Sequence, residues 1–482
     1  MKKIQHEFKK NYKIILIYLF SFSLSLIFSI TSIKYFDKNI MIEGKPKHMM
    51  ISSDVAAYNY DAAKLIENLN RNQEIIFDRE YFRSFLPQII IAIYYKIVDE
   101  KITTNTSEEI HKNNDRKNIT FNSKNGKLGF FIIQTLFYLF SIFLFYKTLS
   151  KYFSKKYLII VSGILCLEPT INQYHSSFFT ESIYISFTLV LFSLVLKKNK
   201  SLITFILIGL LLGLMYAQRS ISIGLFVPIV IFLIFYEKKN FIKYFFTVIS
   251  CMLIVYSVIG FANYKRSGVF YLTSYQSKTG FFQYMGPYLL HKQENIDKSE
   301  ANTIIKNLKE KWIVENKLNL EIEADRLKFY QLQKNYSILL IKNNSLSFAK
   351  YHAWKTLQTM IIDPFMVFKA YYFDKSKKNE DGLRYWQYDE FYKKLFNLAI
   401  FYSFFVYLIS SIGLLKIIRD FLKKKIKIDQ LKIYILFIFI IIYFLSVSGW
   451  IGNPRYFAPC IAFLSFFTAR GVLEINKFFR KK

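Results

Sequence analysis

A small set of acids and bases stands out by position in this 482-residue chain. Asp54 follows the first long apolar run in the stretch ISSDVAAYNYDAAKLIENL. A carboxylate held there can take a proton at a membrane surface. Ser52, Ser53 and Asp54 are also all helix-capping types, which gives Asp54 a second, purely structural reading. Glu181 closes NQYHSSFFTES ahead of another apolar run. An acid in that place either complements a helix dipole or faces a head group or a site. Glu168 sits inside an apolar run beside Pro169. Acids at that depth are costly and face a cavity or a partner. Arg219 and Arg455 are the only basic residues of the short outward loops in the topology derived below. Each either snorkels to the interface or receives an anionic head group, for which the planar guanidinium fork suits phosphate. Lys265 and Arg266, in NYKRSG, could extend such a pocket. Of the six His, only His175 lies near these acids. A lone His is more often an ordinary polar residue than a metal ligand.

The elements that must carry these residues are membrane helices. Hydrophobic residues make up 53% of the chain and charged residues 21%, and the apolar ones cluster in runs such as Ile14–Ile33 and Tyr244–Ala262, neither containing a charge. Runs of that length read as spans, which excludes a collagen, a disordered chain and a soluble enzyme. The formal charge of +32 lies in short clusters between the runs, a membrane-topology pattern rather than the basic face of a nucleic-acid binder. Cys166, Cys251 and Cys460 all fall in apolar runs, with neither a disulfide framework nor a zinc ribbon indicated. No Gly-rich phosphate loop, HExxH or GxSxG occurs. Any substrate therefore arrives in a form other than a nucleotide, and a lipid-linked one suits an outward site.

Ten spans are expected, near 14–33, 128–146, 157–174, 182–196, 201–218, 220–236, 244–262, 395–415, 433–450 and 456–473. With residue 1 inside, the cytoplasmic pieces hold 25 Lys or Arg. That bias places both termini in the cytoplasm, with the first run an uncleaved signal anchor. Phe85–Val98 is apolar but short, and one more crossing there would move KKNK and KKKIK outside. It reads as interfacial or re-entrant. Residues 1–262 form an N-terminal transmembrane module of seven spans carrying the outward loop 34–127. Residues 264–394 form an extracytoplasmic helical segment, and 395–482 the C-terminal transmembrane helices. In the first loop Val55, Tyr58, Ala62, Leu65, Ile66 and Leu69 recur at helical spacing, as in a helix lying on the bilayer surface. The polar stretch 99–127 reads as a loop. In the second segment Ala301–Lys342 reads as charged helix and Phe348–Phe373 as a further helix with an aromatic face. The expected fold is an all-α polytopic membrane protein.

Three stretches resemble the GT-C superfamily of integral-membrane glycosyltransferases, in the branch of protein O-mannosyltransferases (glycosyltransferase family 39) and the lipid A aminoarabinose transferase. They are SDVAAYNYDAAKLIENL after the first span, EPTINQYHSSFFTES with the later RSISIGL, and GWIGNPRYFAPCIAFLSFFTARGV. The family often pairs acids in its first loop, whereas Asp54 follows Ser53 here and the next acid is Asp61. Glu168 replaces a commonly neutral position.

The resemblance implies a polyprenyl-phosphate sugar donor and an acceptor that is a glycolipid, glycan or protein. It implies Asp54 as general base, Glu181 as a further catalytic acid, and Arg219, Arg455, Tyr456, Lys265 and Arg266 around the lipid phosphate. Glu168 is a possible further site acid. One displacement would invert the anomeric centre. No metal or other cofactor is required, although Glu181 or His175 could support a divalent metal. The resemblance also implies a bacterial cytoplasmic membrane and an extracytoplasmic active face. The alternatives are a transporter or flippase of lipid-linked sugars, and a glycan polymerase or ligase outside GT-C.

Overall fold

The computed structural model describes residues 2–36, 39–42, 45–48, 58, 62, 65–66, 85–98, 102–103, 120–121, 124–236, 240–272, 281–320, 322–365, 390–448 and 452–480. Asp54, Asp61 and most of the expected surface helix in the first loop lie outside these residues. Of that helix Tyr58, Ala62, Leu65 and Ile66 are described; they are helical and buried in the main core.

Sixteen helices carry the fold among the described residues. They are α1 (Lys2–Phe36), α2 (Phe85–Ile97), α3 (Lys124–Leu149), α4 (Lys155–Leu167), α5 (Pro169–His175), α6 (Thr180–Val195), α7 (Leu202–Gln218), α8 (Phe226–Tyr236), α9 (Phe241–Ser267), α10 (Gly286–Glu294), α11 (Lys298–Glu315), α12 (Glu323–Asn343), α13 (Ser345–Thr359), α14 (Glu390–Leu422), α15 (Ile428–Ser448) and α16 (Ala458–Arg480). Two short antiparallel pairs lie between α1 and α3. They are β1 (Asn39–Ile42) with β2 (Lys45–His48), and β3 (Ile102–Thr103) with β4 (Thr120–Phe121). The second pair sits within the stretch expected to be loop, and α3 starts before that stretch ends.

All ten expected spans fall on helices, but six helices are long and apolar enough to cross a membrane among the described residues: α1, α3, α9, α14, α15 and α16. α5 and α6 add a seventh if their 114° bend is counted within one span. The expected third span breaks at Glu168–Pro169 into α4, of 13 residues, and α5, of 7. Proline at the first helical position starts a new helix readily, because it lacks only an N–H that would be unpaired there anyway. α7 has 17 residues, and α8 follows a 3₁₀ turn at Ser220–Leu225. At 1.5 Å per residue a 13-residue helix reaches about 20 Å, less than a hydrocarbon core of about 30 Å. α2 has the same length and is likewise too short to cross.

α6 is the hub. Tyr184, Ile185, Leu189, Leu191, Phe192 and Val195 are fully enclosed by α3, α7 and α16. Phe192 meets Phe463 of α16 edge-on at 4.9 Å. Between membrane helices there is little hydrophobic drive, so small residues and hydrogen bonds do the joining. α7 carries Gly209 and Gly213 one turn apart. A Cβ on Gly209 would stand 2.5 Å from Val248 O of α9, and one on Gly213 would stand 2.6 Å from the Val255 Cβ. α14 and α16 touch through a reciprocal pair. A Cβ on Gly413 would meet Phe467 O at 1.9 Å, and one on Gly471 would meet Ile409 O at 2.0 Å. At one end of this contact Asp420 pairs with Arg470 and, at 2.9 Å, with Lys416.

The segment 264–394 departs from expectation in two places. The charged helix expected over 301–342 is two helices, separated around Asn316–Ile322, where Lys317 has φ +49°. α13 ends at Thr359, whereas the aromatic helix was expected to continue to Phe373; residues 366–373 lie outside the described set. Pro364 keeps the helix from continuing through to Phe373, because a proline disfavours helical backbone in the residue before it, although the helix already ends four residues before Asp363. The Ser403 hydroxyl of α14 instead accepts from Ile362 N (2.8 Å).

Gly413→Ala and Gly471→Ala should each lower the thermal unfolding temperature of the detergent-solubilised chain, at a penalty of about 1–3 kcal/mol for overpacking. Gly163→Ala, whose Cβ would meet only Ile17 Cδ1 at 3.8 Å, should leave it unchanged or raise it.

Candidate active site

Three helix ends meet beside the hub. Glu181 lies in the first turn of α6, where its charge complements the unpaired N–H groups of the helix start. Arg219 is the residue at which α7 gives way to the 3₁₀ turn, in extended backbone (φ −153°, ψ 121°). The Ser222 hydroxyl braces that exit, lying 2.8 Å from the carbonyls of both Met215 and Arg219 and donating to Tyr184 Oη at 3.0 Å. Gln218 Nε2 donates to Thr180 O (3.2 Å), tying the end of α7 to the start of α6. Arg455 and Tyr456 lie in a short 3₁₀ turn, Pro454–Tyr456, capped by Asn453 Oδ1, which accepts from Arg455 N at 3.0 Å.

The Glu181 carboxylate has no solvent exposure, and both guanidinium groups converge on one of its oxygens. Arg219 Nη1 donates to Oε1 at 2.6 Å, and Arg455 Nε makes a second ion pair with the same atom. Thr180 Oγ1 donates to Oε2 at 3.3 Å. Aromatic faces complete the enclosure: Tyr456 lies 4.8 Å from the Arg219 guanidinium and 6.0 Å from that of Arg455. Phe179 lies 5.1 Å from Arg455, and Tyr184 lies 5.7 Å from Arg219. Such contacts strengthen when water is excluded. Tyr174 stands within electrostatic reach of Glu181, Arg455, Asp363 and Arg219.

Helix α13 supports the Arg455 turn from outside. Gly452 has φ +66°, and a Cβ there would lie 2.5 Å from Lys355 Cδ. Only glycine combines that backbone with that contact. Lys355 Nζ donates to Gln358 Oε1 (2.9 Å), and partial burial holds its ammonium below the usual lysine range.

The structure thus gathers Glu181, Arg219, Arg455 and Tyr456. Glu168 is placed differently: it is the N-cap of α5, where its Oε1 accepts from Thr170 N (3.3 Å) and its Oε2 from Tyr402 Oη (2.7 Å). Lys265 is exposed and joins no hydrogen bond or ion pair of the cluster among the described residues. Asp54 and the side chain of Arg266 lie outside them. His175 is fully buried, with Nδ1 2.7 Å from Ser182 Oγ and its ring 4.6 Å from that of Tyr138. Among the described residues no three His, Cys, Asp or Glu gather as metal ligands. Glu181 Oε1 is held by two cations, whereas among the described residues its Oε2 carries only the Thr180 contact. Tyr184, Phe179, Tyr174 and Asp363 carry no motif or spacing in the sequence that marks them as part of the site. The aromatic residues flanking Glu181 were visible in it, but their approach to arginines far along the chain was not.

No family model and no curated protein sequence matches this chain. Solved structures do. The archaeal oligosaccharyltransferase AglB from Archaeoglobus fulgidus, in complex with an inhibitory peptide and a dolichol-phosphate, superposes with a TM-score of 0.51 at 13% identity, over 98% of this chain and 52% of that one. The Archaeoglobus fulgidus oligosaccharyltransferase tethered with an acceptor peptide containing the NVT sequon gives 0.51 at 11% identity, over 98% and 50%. ArnT from Cupriavidus metallidurans, bound to undecaprenyl phosphate, gives 0.39 at 8% identity, over 95% and 78%, too low for any argument to rest on it. The chain therefore spans about half the length of the archaeal protein. It shares the fold of the matched half of these archaeal structures.

Removing Glu181 should leave the buried Arg219 and the part-buried Arg455 uncompensated. Glu181→Ala is expected to destabilise the chain by about 3–5 kcal/mol, read as a lower unfolding temperature. Adding Arg219→Ala to Glu181→Ala should cost less than the two single changes summed; strict additivity would mean the pair is not coupled.

Proposed function

We propose that this chain transfers a sugar from a polyprenyl-phosphate carrier to an acceptor on the extracytoplasmic face of a membrane. One observation carries the reading: two arginines from separate helix ends are locked side by side on one buried carboxylate. The shared fold is consistent with it. A guanidinium has five N–H donors in a rigid fork, and two of them together suit a phosphate's several acceptor oxygens.

In the proposed step the acceptor O–H (or N–H) loses its proton to the Asp54 carboxylate. The freed lone pair forms a bond to the anomeric carbon, and the bond from that carbon to the phosphate oxygen breaks. Its electron pair leaves with polyprenyl phosphate, and Arg219 and Arg455 neutralise the growing charge. A single displacement inverts the anomeric centre. Glu181, saturated by its two arginines, acts as the positioning residue that fixes them rather than as a second proton carrier. Tyr456 and Phe179 restrict the guanidinium planes. The positive-inside count supports cytoplasmic termini and an outward site.

Two measurements test this. Native mass spectrometry of the full chain with undecaprenyl phosphate should give binding that Arg455→Ala weakens about tenfold or more, as expected for losing a charge-assisted bond worth about 1.5–3 kcal/mol. Equal binding would remove Arg455 from the phosphate site. Turnover of radiolabelled undecaprenyl-phosphate hexoses in detergent should fall roughly 10²–10⁴-fold in Asp54→Asn and Asp54→Ala. Full turnover by both variants would discard Asp54 as base. Carrier binding with no turnover by the wild-type chain, together with vesicle translocation, would favour a flippase.

A further inference from the structure

α13 has three sides. One packs on the neighbouring helices, where Tyr351 meets Tyr288 of α10 at 4.6 Å with the rings tilted by 37°. A second is fixed to the membrane domain: His352 Nε2 donates to Ser446 O (2.9 Å), two residues before α15 ends at Ser448, and Lys355 abuts Gly452. The third is a stripe of Leu346, Ala349, Lys350, Ala353, Trp354 and Leu357, all exposed. Their spacing is i, i+3, i+4, i+7, i+8, i+11, one continuous helix face. Leu346 is 68% exposed, Trp354 59% and Leu357 59%.

We infer that α13 is an interfacial helix whose Leu346–Trp354–Leu357 face rests on the outer lipid leaflet and holds the Arg455 turn at the membrane surface. The bond to Ser446 fixes its height, because α15 is one of the helices long and apolar enough to cross a membrane and Ser446 lies in its last turn. At that level the neighbour of an outward-facing side chain is the head-group region. The stripe's composition fits it: an indole that prefers the boundary between apolar and wet, leucines for the acyl edge and one lysine for anionic head groups. A helix in this position also has a mechanical consequence. Through Lys355 and Gln358 against Gly452, lipid contact on one side of α13 restrains the turn that carries Arg455 on the other. This inference does not depend on which reaction the site performs.

The test uses the full chain in nanodiscs of phosphatidylethanolamine with phosphatidylglycerol. Spin labels at Leu346→Cys, Trp354→Cys and Leu357→Cys, with Asn302→Cys on α11 as the water-exposed reference, are compared for collision with oxygen and with a neutral nickel chelate. Oxygen should win at the three stripe positions and nickel at position 302, with the stripe labels about 5–10 Å below the head groups. Nickel access at the stripe equal to that at 302 would place the face in water and overturn the inference. Shielding from both reagents would mean a protein covers it, and would overturn it too. A second measurement leaves every cysteine native. Brominated phosphatidylcholine should quench tryptophan emission of the wild-type chain more than that of Trp354→Phe, and equal quenching would contradict a lipid contact.

Discussion

A carboxylate without solvent has to be neutralised from within the protein, and Glu181 meets that demand with two guanidinium groups at once. Removing an ion from water costs several kcal/mol even after relaxation, so an arrangement of this kind persists only when its partners arrive together. The rest of the architecture satisfies that constraint. The start of α6, the exit of α7 and the turn before α16 must end at one height, although they lie far apart in sequence. Ser222 and Gln218 brace the first two against each other, and Asn453 shapes the third.

The membrane domain supplies the rigidity this needs. α6 is buried on all but its Phe187–Val190–Leu194 face, and the helices around it approach closely where glycine lets backbone meet backbone. The helices of 286–359 complete the frame, with α13 bearing on Gly452. The cation–π contacts of Tyr456 matter here for orientation as much as for energy. Each arginine lies over a flat face, so its fork points in a defined direction instead of sweeping a volume.

Much of the helix pattern was legible because lipid imposes a strong rule: a chain in hydrocarbon must satisfy its own backbone, and long uncharged runs have no other solution. The ten apolar runs accordingly all fall on helices. Their lengths were not legible to the same degree. Glu168–Pro169 interrupts a run that looks continuous in composition, and the 3₁₀ turn after Arg219 has no apolar signature. In the segment 264–394 Pro364 carried the information that the helix cannot run through to Phe373, whereas the aromatic residues beyond it argued for continuation. Arg219 and Arg455 could be picked out by scarcity, since the topology rule makes outward basic residues stand out. That Glu181 holds both of them could not be read from the sequence. Spacing along the chain says nothing about which helix ends share a corner, and neither burial nor the approach of Phe179 and Tyr184 has a sequence signal.

The central claim is that the Glu181-anchored arginine pair receives a lipid phosphate. The most direct measurement is an experimental structure of the full chain in nanodiscs loaded with undecaprenyl phosphate. The account predicts phosphate oxygens at roughly 3 Å from nitrogens of both Arg219 and Arg455, with Glu181 still bridging the pair and Asp54 facing the same space. A head group seated at Lys265 or elsewhere, with the arginine pair sealed away from it, would contradict the account.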